Sequence, residues 1–237
     1  MSRTGAYIAA MTTPPLELGR RTLFVSGAAA LVGALAGSTV RRVAAPPRLA
    51  ATSQSPAAPA RAISNPDGSL DPMLLRRALA ALDEHAGTIR HRDRIAIVDF
   101  SAPSSEARFH FLDVASGRVS RQLVAHGSGS DPGHTGFLQR FSNLSGSNAS
   151  SEGAFLTGDY YVGKHGRSQR LAGLDATNNN AMERAIVIHG AWYANEDMIG
   201  AHGKLGRSQG CLAVGEQCLD DTFAHLGVGR LIYAARA

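Results

Sequence analysis

The sequence predicts a mainly β domain with a few short helices, of the β-sandwich or barrel-like kind. Three observations favour this class. The apolar runs are short, and several alternate as half-buried strands do. Glycine is frequent, at 26 residues, whereas aromatic residues make up 6% of the chain, which suits a loop-rich β protein better than a helical bundle. No internal repeat is present, nor the alternation of strands and helices that is typical of parallel α/β folds.

The first 43 residues predict an export signal or an N-terminal membrane anchor. Arg20 and Arg21 stand directly before an apolar run that ends near Ala36, and the pair resembles a twin-arginine signal. The run is about 15 residues long, short for a bilayer span, and Ala34-Leu35-Ala36 offers a cleavage site. Residues 44–68 are rich in Ala, Pro, Ser and Thr, which predicts a flexible tether. We therefore expect a periplasmic or cell-envelope protein that the N-terminus could tether to the membrane.

A folded domain is predicted for residues 69–237, and it begins with a helix. Asp71 is a favourable N-cap, Pro72 fits the first helical position, and apolar residues follow at helical spacing to about Ala86. Residues 107–114 and 119–125 predict a hairpin. The other predicted elements are strands at 95–100, 160–162, 185–189 and 230–234, a helix at 220–226, and a long loop at 127–153 of the kind that is usually functional.

The charge distribution argues against a nucleic-acid partner. The net charge is +5, and residues 1–45 hold +4 of it, so +1 remains for the rest of the chain. A nucleic-acid-binding domain would cluster basic residues on its folded part, and no such cluster follows residue 45.

Cys211 and His189 are the candidate nucleophile and base. His189 ends an apolar strand and is followed by Gly190, and Cys211 follows Gly210 in a glycine-rich turn. An imidazole beside a thiol raises the fraction of thiolate, which is the nucleophilic form. Gly210 has no side chain, so backbone N–H groups around Cys211 can approach a developing oxyanion. Gly190 offers only a backbone carbonyl to orient the imidazole.

These residues resemble the catalytic domain of the murein L,D-transpeptidases, the YkuD-like family, whose motif is His-Gly, a spacer, and then Ser/Thr-His-Gly-Cys. Ser208-Gln209-Gly210-Cys211 matches the ending except at Gln209. The resemblance extends over residues 94–235. It includes Val98-Asp99-Phe100-Ser101, Val124-Ala125-His126-Gly127, Phe141-Ser142-Asn143, residues 146–151 and residues 163–168.

The resemblance implies acyl transfer on peptidoglycan stem peptides. Cys211 would attack the carbonyl of the diamino acid in a tetrapeptide stem and release D-Ala, and an amine of another stem would resolve the thioester. His189 would be the base, Gly190 its orienter, and the N–H groups of Gly210 and Cys211 the oxyanion donors. Neither a metal nor an organic cofactor is expected, and we expect a monomer. Further candidates for lining the site or binding substrate are Arg207, Ser208, Gln209, His126, His165, Arg167, Trp192 and His202.

Several alternatives stay open at this point. With water as acceptor the same acyl-enzyme gives an L,D-carboxypeptidase. Gln209 in place of the usual histidine leaves room for a catalytically inactive cell-wall-binding module. His202 is a rival base, and Cys218 is either a buried helix residue or a disulfide partner of Cys211. Serine and zinc peptidases are disfavoured because the chain has no Ser-x-x-Lys and no His-Glu-x-x-His sequence.

Overall fold

The computed structural model describes residue 68 and residues 70–237 of the chain. The predicted signal or anchor at 1–43 and the predicted tether, apart from Gly68, lie outside the described residues. Within the described part, no helix combines the length and the apolar character that a membrane span requires.

The described chain forms a mainly β domain with a few short helices, as the sequence predicts. The helices are α1 (Pro72–Glu84), α2 (Asp197–His202) and α3 (Leu219–Leu226). The strands are β1 (Arg94–Asp99), β2 (Phe109–Asp113), β3 (Val119–Gln122), β4 (Gly153–Gly163), β5 (Gly166–Gly173), β6 (Val187–Gly190), β7 (Leu212–Val214) and β8 (Leu231–Ala235).

All eight strands join one mixed sheet in the order β3-β2-β1-β8-β4-β5-β6-β7. The pairs β1–β8 and β6–β7 are parallel, and the other neighbours are antiparallel. The chain that leaves edge strand β3 then reaches the opposite edge, where Ala125 bridges Ala213 of β7 and Gly127 bridges Ser208. These bridges bring the two edges of the sheet together in a barrel-like arrangement.

The central strands are buried on both faces. Ile95 and Ile97 of β1 pack with helix α1, whereas Ala96 and Val98 face the main core, which also holds residues of α3. A strand covered on both sides needs apolar residues at every position, so β1 reads as a continuous apolar run.

Helix α1 begins at its predicted cap. The Asp71 carboxylate accepts hydrogen bonds from the backbone N–H groups of Met73 and Leu74, and Pro72 occupies the first turn. The buried face of the helix includes Leu74 and Leu82, and each such leucine contributes about 2 kcal/mol of stabilisation on burial.

Strands β5 and β7 have no counterpart among the sequence predictions, and β4 is longer than the predicted 160–162 segment. The antiparallel pair β4–β5 is nevertheless what positions the site. Its tight turn at Lys164 and His165 projects beside β6, because Ser168 of β5 pairs with His189.

Candidate active site

A cavity of about 570 Å³ opens where β6, β7 and the β4–β5 turn meet. Cys211 directly precedes β7, and His189 lies near the end of the parallel neighbour β6, where it pairs with Ala213. Parallel pairing of two short strands thus brings the thiol and the imidazole to one wall. The residues used below that line the cavity are Cys211, His189, His165, Lys164, Glu183, Arg184, Tyr193, Arg207, Ser208 and Gln209.

The thiol of Cys211 is nearly enclosed, with 8% of the residue exposed. Its Sγ donates to the carbonyl of Ala185 at 3.7 Å. Burial raises the pKa of the thiol, while a hydrogen bond from the backbone of Val187 and the charges of Lys164 and Arg184 act in the opposite direction. Among the described residues no hydrogen bond joins Cys211 to His189, and the raised pKa of Cys211 favours the thiol form.

The imidazole of His189 is buried and held in one tautomer. Its Nδ1 lies 3.0 Å from the carbonyl oxygen of Gly190, and a carbonyl only accepts, so Nδ1 carries the proton and Nε2 is left basic. The ring stacks on His165, with centroids 4.3 Å apart and an interplanar angle of 17°. Burial lowers the pKa of His189, and His165 and Lys164 lower it further, against the effect of the Gly190 carbonyl. The imidazole is therefore neutral near pH 7.

The turn that carries Cys211 depends on two glycines in close contact. Gly210 has φ +112°, a conformation that side chains disfavour, and a Cβ there would lie 2.7 Å from the carbonyl oxygen of Ala149. A Cβ on Gly127 would lie 2.8 Å from the Cα of Gly210. Neither position has room for a side chain, so the turn packs directly on the segment that follows β3.

Ser208 organises this turn from inside. Its N–H donates to the carbonyl of His126 at 2.9 Å, and its carbonyl accepts from the N–H of Ser128 at 2.8 Å. Its hydroxyl donates to the carbonyl of Cys211 at 2.7 Å and accepts from the N–H of Gly210 at 3.1 Å. The N–H of Gly210, expected from the resemblance to be an oxyanion donor, is thus already engaged.

Residues 206–210 also spell Gly-x-Ser-x-Gly, the pattern of the serine-hydrolase elbow. The structure does not support a serine nucleophile here. Ser208 is 4% exposed, its hydroxyl hydrogen is directed to a backbone carbonyl, and the turn leads into strand β7 rather than into a helix.

Arg184 lines the cavity, although the sequence analysis did not select it. Its guanidinium donates to the carbonyls of Ser142 and Ala149 and to the hydroxyls of Ser147 and Ser151. It thereby ties the long glycine- and serine-rich loop to the cavity wall. The influence of Cys211 on the pKa of Arg184 indicates that the two groups are close enough to interact electrostatically.

Four residues that the sequence analysis expected at the site lie elsewhere. Arg167 pairs with Asp220 on the surface and covers the ring of Phe223. Trp192 is 66% exposed and does not line the cavity, whereas its neighbour Tyr193 does. His202, the rival base, is exposed at the end of α2. The fourth residue is His126.

His126 is buried beneath the site instead of lining it. Its Nδ1 lies 2.7 Å from the guanidinium of Arg108, and its Nε2 lies 3.4 Å from the carboxylate of Asp131. Arg108 is 1% exposed, and it also donates to the carbonyls of Val124 and Ala102. Because the carbonyl of His126 accepts from Ser208, this network supports the turn that carries the thiol.

The two cysteines are both free thiols and occupy different places. Cys218 ends a short 3-10 turn before α3 and is half-buried. It lines a second cavity, of about 660 Å³, that does not include Cys211. Cys218 is thus a partly exposed residue at the start of a helix, and not the buried helix residue that the sequence analysis expected.

The fold and the cavity together define a class of protein: a curved β domain that presents a thiol and an imidazole from neighbouring parallel strands. The family described as the L,D-transpeptidase catalytic domain matches residues 67–235. Since this match covers most of the chain, the protein belongs to the L,D-transpeptidase catalytic-domain family.

Solved structures similar to this chain include three L,D-transpeptidases. LdtMt1 in complex with imipenem is 13% identical, with 60% of this chain and 59% of that chain covered and a TM-score of 0.38. The enzyme from Mycobacterium smegmatis is 12% identical, with 60% and 58% covered and a TM-score of 0.38. The enzyme from Xylanimonas cellulosilytica is 17% identical, with 66% and 68% covered and a TM-score of 0.37. The chain thus spans less than two thirds of the first two, and no curated protein matches it.

Proposed function

We propose that the protein is a peptidoglycan L,D-transpeptidase in which Cys211 is the nucleophile and His189 the general base. The observation that carries the proposal is that both side chains line one cavity, with the carbonyl of Gly190 holding the imidazole in the tautomer that can accept a proton. Family membership supports peptidoglycan stem peptides as substrates and a location in the cell envelope. An export signal of the twin-arginine kind belongs to the same proposal.

The first half of the reaction makes a thioester. Because burial keeps the thiol protonated, the transfer of its proton to Nε2 of His189 accompanies the attack of Sγ on the carbonyl carbon of the diamino acid. A C–S bond forms, and a backbone N–H group holds the oxyanion. The N–H of Cys211 is the first donor to the oxyanion. The N–H of Gly210 can donate to the oxyanion only after it breaks its hydrogen bond to the hydroxyl of Ser208. Collapse breaks the C–N bond to D-Ala, whose nitrogen takes the proton from His189.

The second half transfers the acyl group. An amine of another stem attacks the thioester carbon and gives its proton to His189, the C–S bond breaks, and the sulfur recovers the proton as a new amide forms. With water in place of the amine, the product is a shortened stem, as a carboxypeptidase makes. The exposed side chain of Gln209 at the cavity is available for contacts with either acceptor.

The test incubates the full-length protein with a disaccharide-tetrapeptide and follows the products by mass spectrometry. We expect loss of D-Ala, a cross-linked dimer and a thioester adduct on the protein. Cys211→Ala should abolish all three, and His189→Gln should slow turnover by a factor of about 100 or more. Cys218→Ala, which removes the thiol outside the cavity, is the matched control and should retain activity.

Other outcomes distinguish the alternatives. Loss of D-Ala without dimer formation would favour a carboxypeptidase. No conversion by a wild-type protein shown to be folded would contradict the proposed enzyme and favour a cell-wall-binding module.

A further inference from the structure

The cavity wall carries three cations and one carboxylate. Lys164, Arg184 and Arg207 line it together with Glu183. Among the described residues none of these cations forms an ion pair, whereas arginines elsewhere in the domain pair with acids. Glu183 accepts from the hydroxyl of Ser145 at 2.7 Å and forms no ion pair with them either. The cavity thus holds an excess of positive charge.

Neutral partners hold the two guanidinium groups. Arg184 donates to hydroxyl and backbone carbonyl oxygens only. Arg207 donates through Nη1 to the backbone carbonyls of Asp131 and Pro132. Such partners fix the direction of a guanidinium group without neutralising it. Lys164 is exposed at the tip of the β4–β5 turn, where its ammonium can adapt to a ligand.

These charges act at the candidate nucleophile and base. Lys164 and Arg184 both lower the pKa of Cys211, and Lys164 also lowers that of His189. A concave wall with unpaired charges of one sign concentrates ions of the opposite sign. Leaving a partly buried charge without a counterion is costly, so an anionic ligand is the natural occupant.

We propose that Lys164, Arg184 and Arg207 form a subsite for carboxylates, so that the protein selects donor stems whose carboxyl groups are free over stems in which they are amidated. The inference rests on the proposed function. A tetrapeptide stem has a carboxylate on its terminal residue, next to the bond that breaks, and carboxyl groups on its glutamyl and diamino-acid residues. Conversion of the latter two to amides removes the charge but nearly preserves the size, so charge recognition can be tested separately from shape.

The test compares two synthetic disaccharide-tetrapeptides that differ only in these two carboxyl groups, free in one and amidated in the other. We expect the full-length protein to release D-Ala from the free acid with a kcat/KM at least about tenfold higher, since charge-assisted hydrogen bonds are roughly twice as strong as neutral ones. Raised salt should narrow the difference because it screens exposed charges.

Two variants assign the preference to the subsite. Lys164→Gln and Arg207→Gln should each lower kcat/KM for the free acid by a factor about tenfold larger than the factor for the amide, so that discrimination between the two stems falls. Arg76→Gln is the matched control. It removes one positive charge from an exposed position on α1. Because α1 packs on the sheet face that carries Ile95 and Ile97, Arg76 does not line the cavity. The variant should therefore keep the preference for the free acid.

The remaining outcomes overturn the inference. Equal kcat/KM for the two stems, a preference for the amide, or full discrimination in both variants would each do so. Binding of the two stems to Cys211→Ala, measured by calorimetry, decides the matter without catalysis. If wild-type protein turned over neither stem, tighter binding of the free acid would still support the subsite, and equal affinities would refute it. Failure of the proposed function is thereby distinguished from failure of the subsite.

Discussion

Alanine at Gly127 tests the close packing under the turn that carries Cys211. The added Cβ would lie 2.3 Å from the carbonyl oxygen of Asn148 and 2.8 Å from both the N and the Cα of Gly210. These are backbone atoms of two separate segments, so no side-chain rotation can relieve the overlap. The φ of Gly127 is −73°, which alanine adopts freely, so any strain arises from the overlap alone.

The expected magnitude follows from two opposing effects. Overpacking costs about 1–3 kcal/mol, and this overlap belongs at the upper end because three backbone atoms are involved. Replacing glycine restricts the unfolded chain and offsets about 0.4–1 kcal/mol. We therefore expect a net loss of about 2 kcal/mol in the free energy of unfolding, which lowers the Tm of a domain this size by about 4–8 °C.

The assay is thermal and urea unfolding of the full-length protein, followed by circular dichroism, with Gly200→Ala as the control. Gly200 lies in α2 with no atom within 4 Å of an added Cβ, and alanine in a helix should stabilise the protein by about 0.5–1 kcal/mol. We therefore expect Gly127→Ala to lower the free energy of unfolding and Gly200→Ala to raise it. A Gly127→Ala protein as stable as wild type would refute the packing argument.

Three further predictions concern charge and ionisation. Burial, aided by the charge of Arg108, lowers the pKa of His126 from 6.5 to about 4. Between these two pH values the unfolded chain binds a proton that the folded protein does not. The contribution to the free energy of unfolding is therefore full above pH 6.5 and falls by about 3 kcal/mol toward pH 4. Urea unfolding at pH 7 and pH 4.5 should show a smaller loss for His126→Gln than for wild type, and an equal loss would count against this origin. Because burial raises the pKa of Cys211, iodoacetamide at neutral pH should label a Cys218→Ala protein more slowly than free cysteine, and Lys164→Gln should slow labelling further; labelling as fast as free cysteine would contradict the burial argument. Arg184→Gln should destabilise the protein by about 2–3 kcal/mol and raise amide hydrogen exchange in residues 142–151, and unchanged exchange there would show that the guanidinium does not hold this loop.

Local signals made part of the fold predictable. The cap at Asp71 and the apolar run of β1 each lie within a few residues, and both elements occur as expected. Strand β5 escaped prediction because its buried positions include Ser168 and Gln169. The amide of Gln169 donates to the carbonyls of Gly158 and Gly227, so tertiary hydrogen bonds replace the apolar pattern on which strand prediction depends.

The candidate site likewise contains residues that local sequence signals identify and residues that only tertiary contacts bring to the cavity. Cys211 and His189 stand out because each occupies a glycine-flanked strand end, which is visible in the sequence. Lys164 and Arg184 reach the cavity only through strand pairing and loop packing. His126 precedes a glycine as His189 does, yet it lies beneath the cavity instead of lining it, because it contacts Arg108, an arginine at 1% exposure. Sequence reasoning treats arginine as a surface residue and misses such a network.

Strand β8 lies between β1 and β4, although it comes last among the described strands. Its pairing of Ile232 with Ala96 joins positions far apart in the chain, and contacts of this kind slow folding because a long loop must close first. During synthesis, β1 and β4 therefore emerge with unpaired edges that are prone to aggregation. Strands β6 and β7, with the thiol and the imidazole, leave the ribosome before the strand that joins the two halves of their sheet. Strand β8 is thus the element that joins the two halves of the sheet, through its pairing with β1 on one side and β4 on the other.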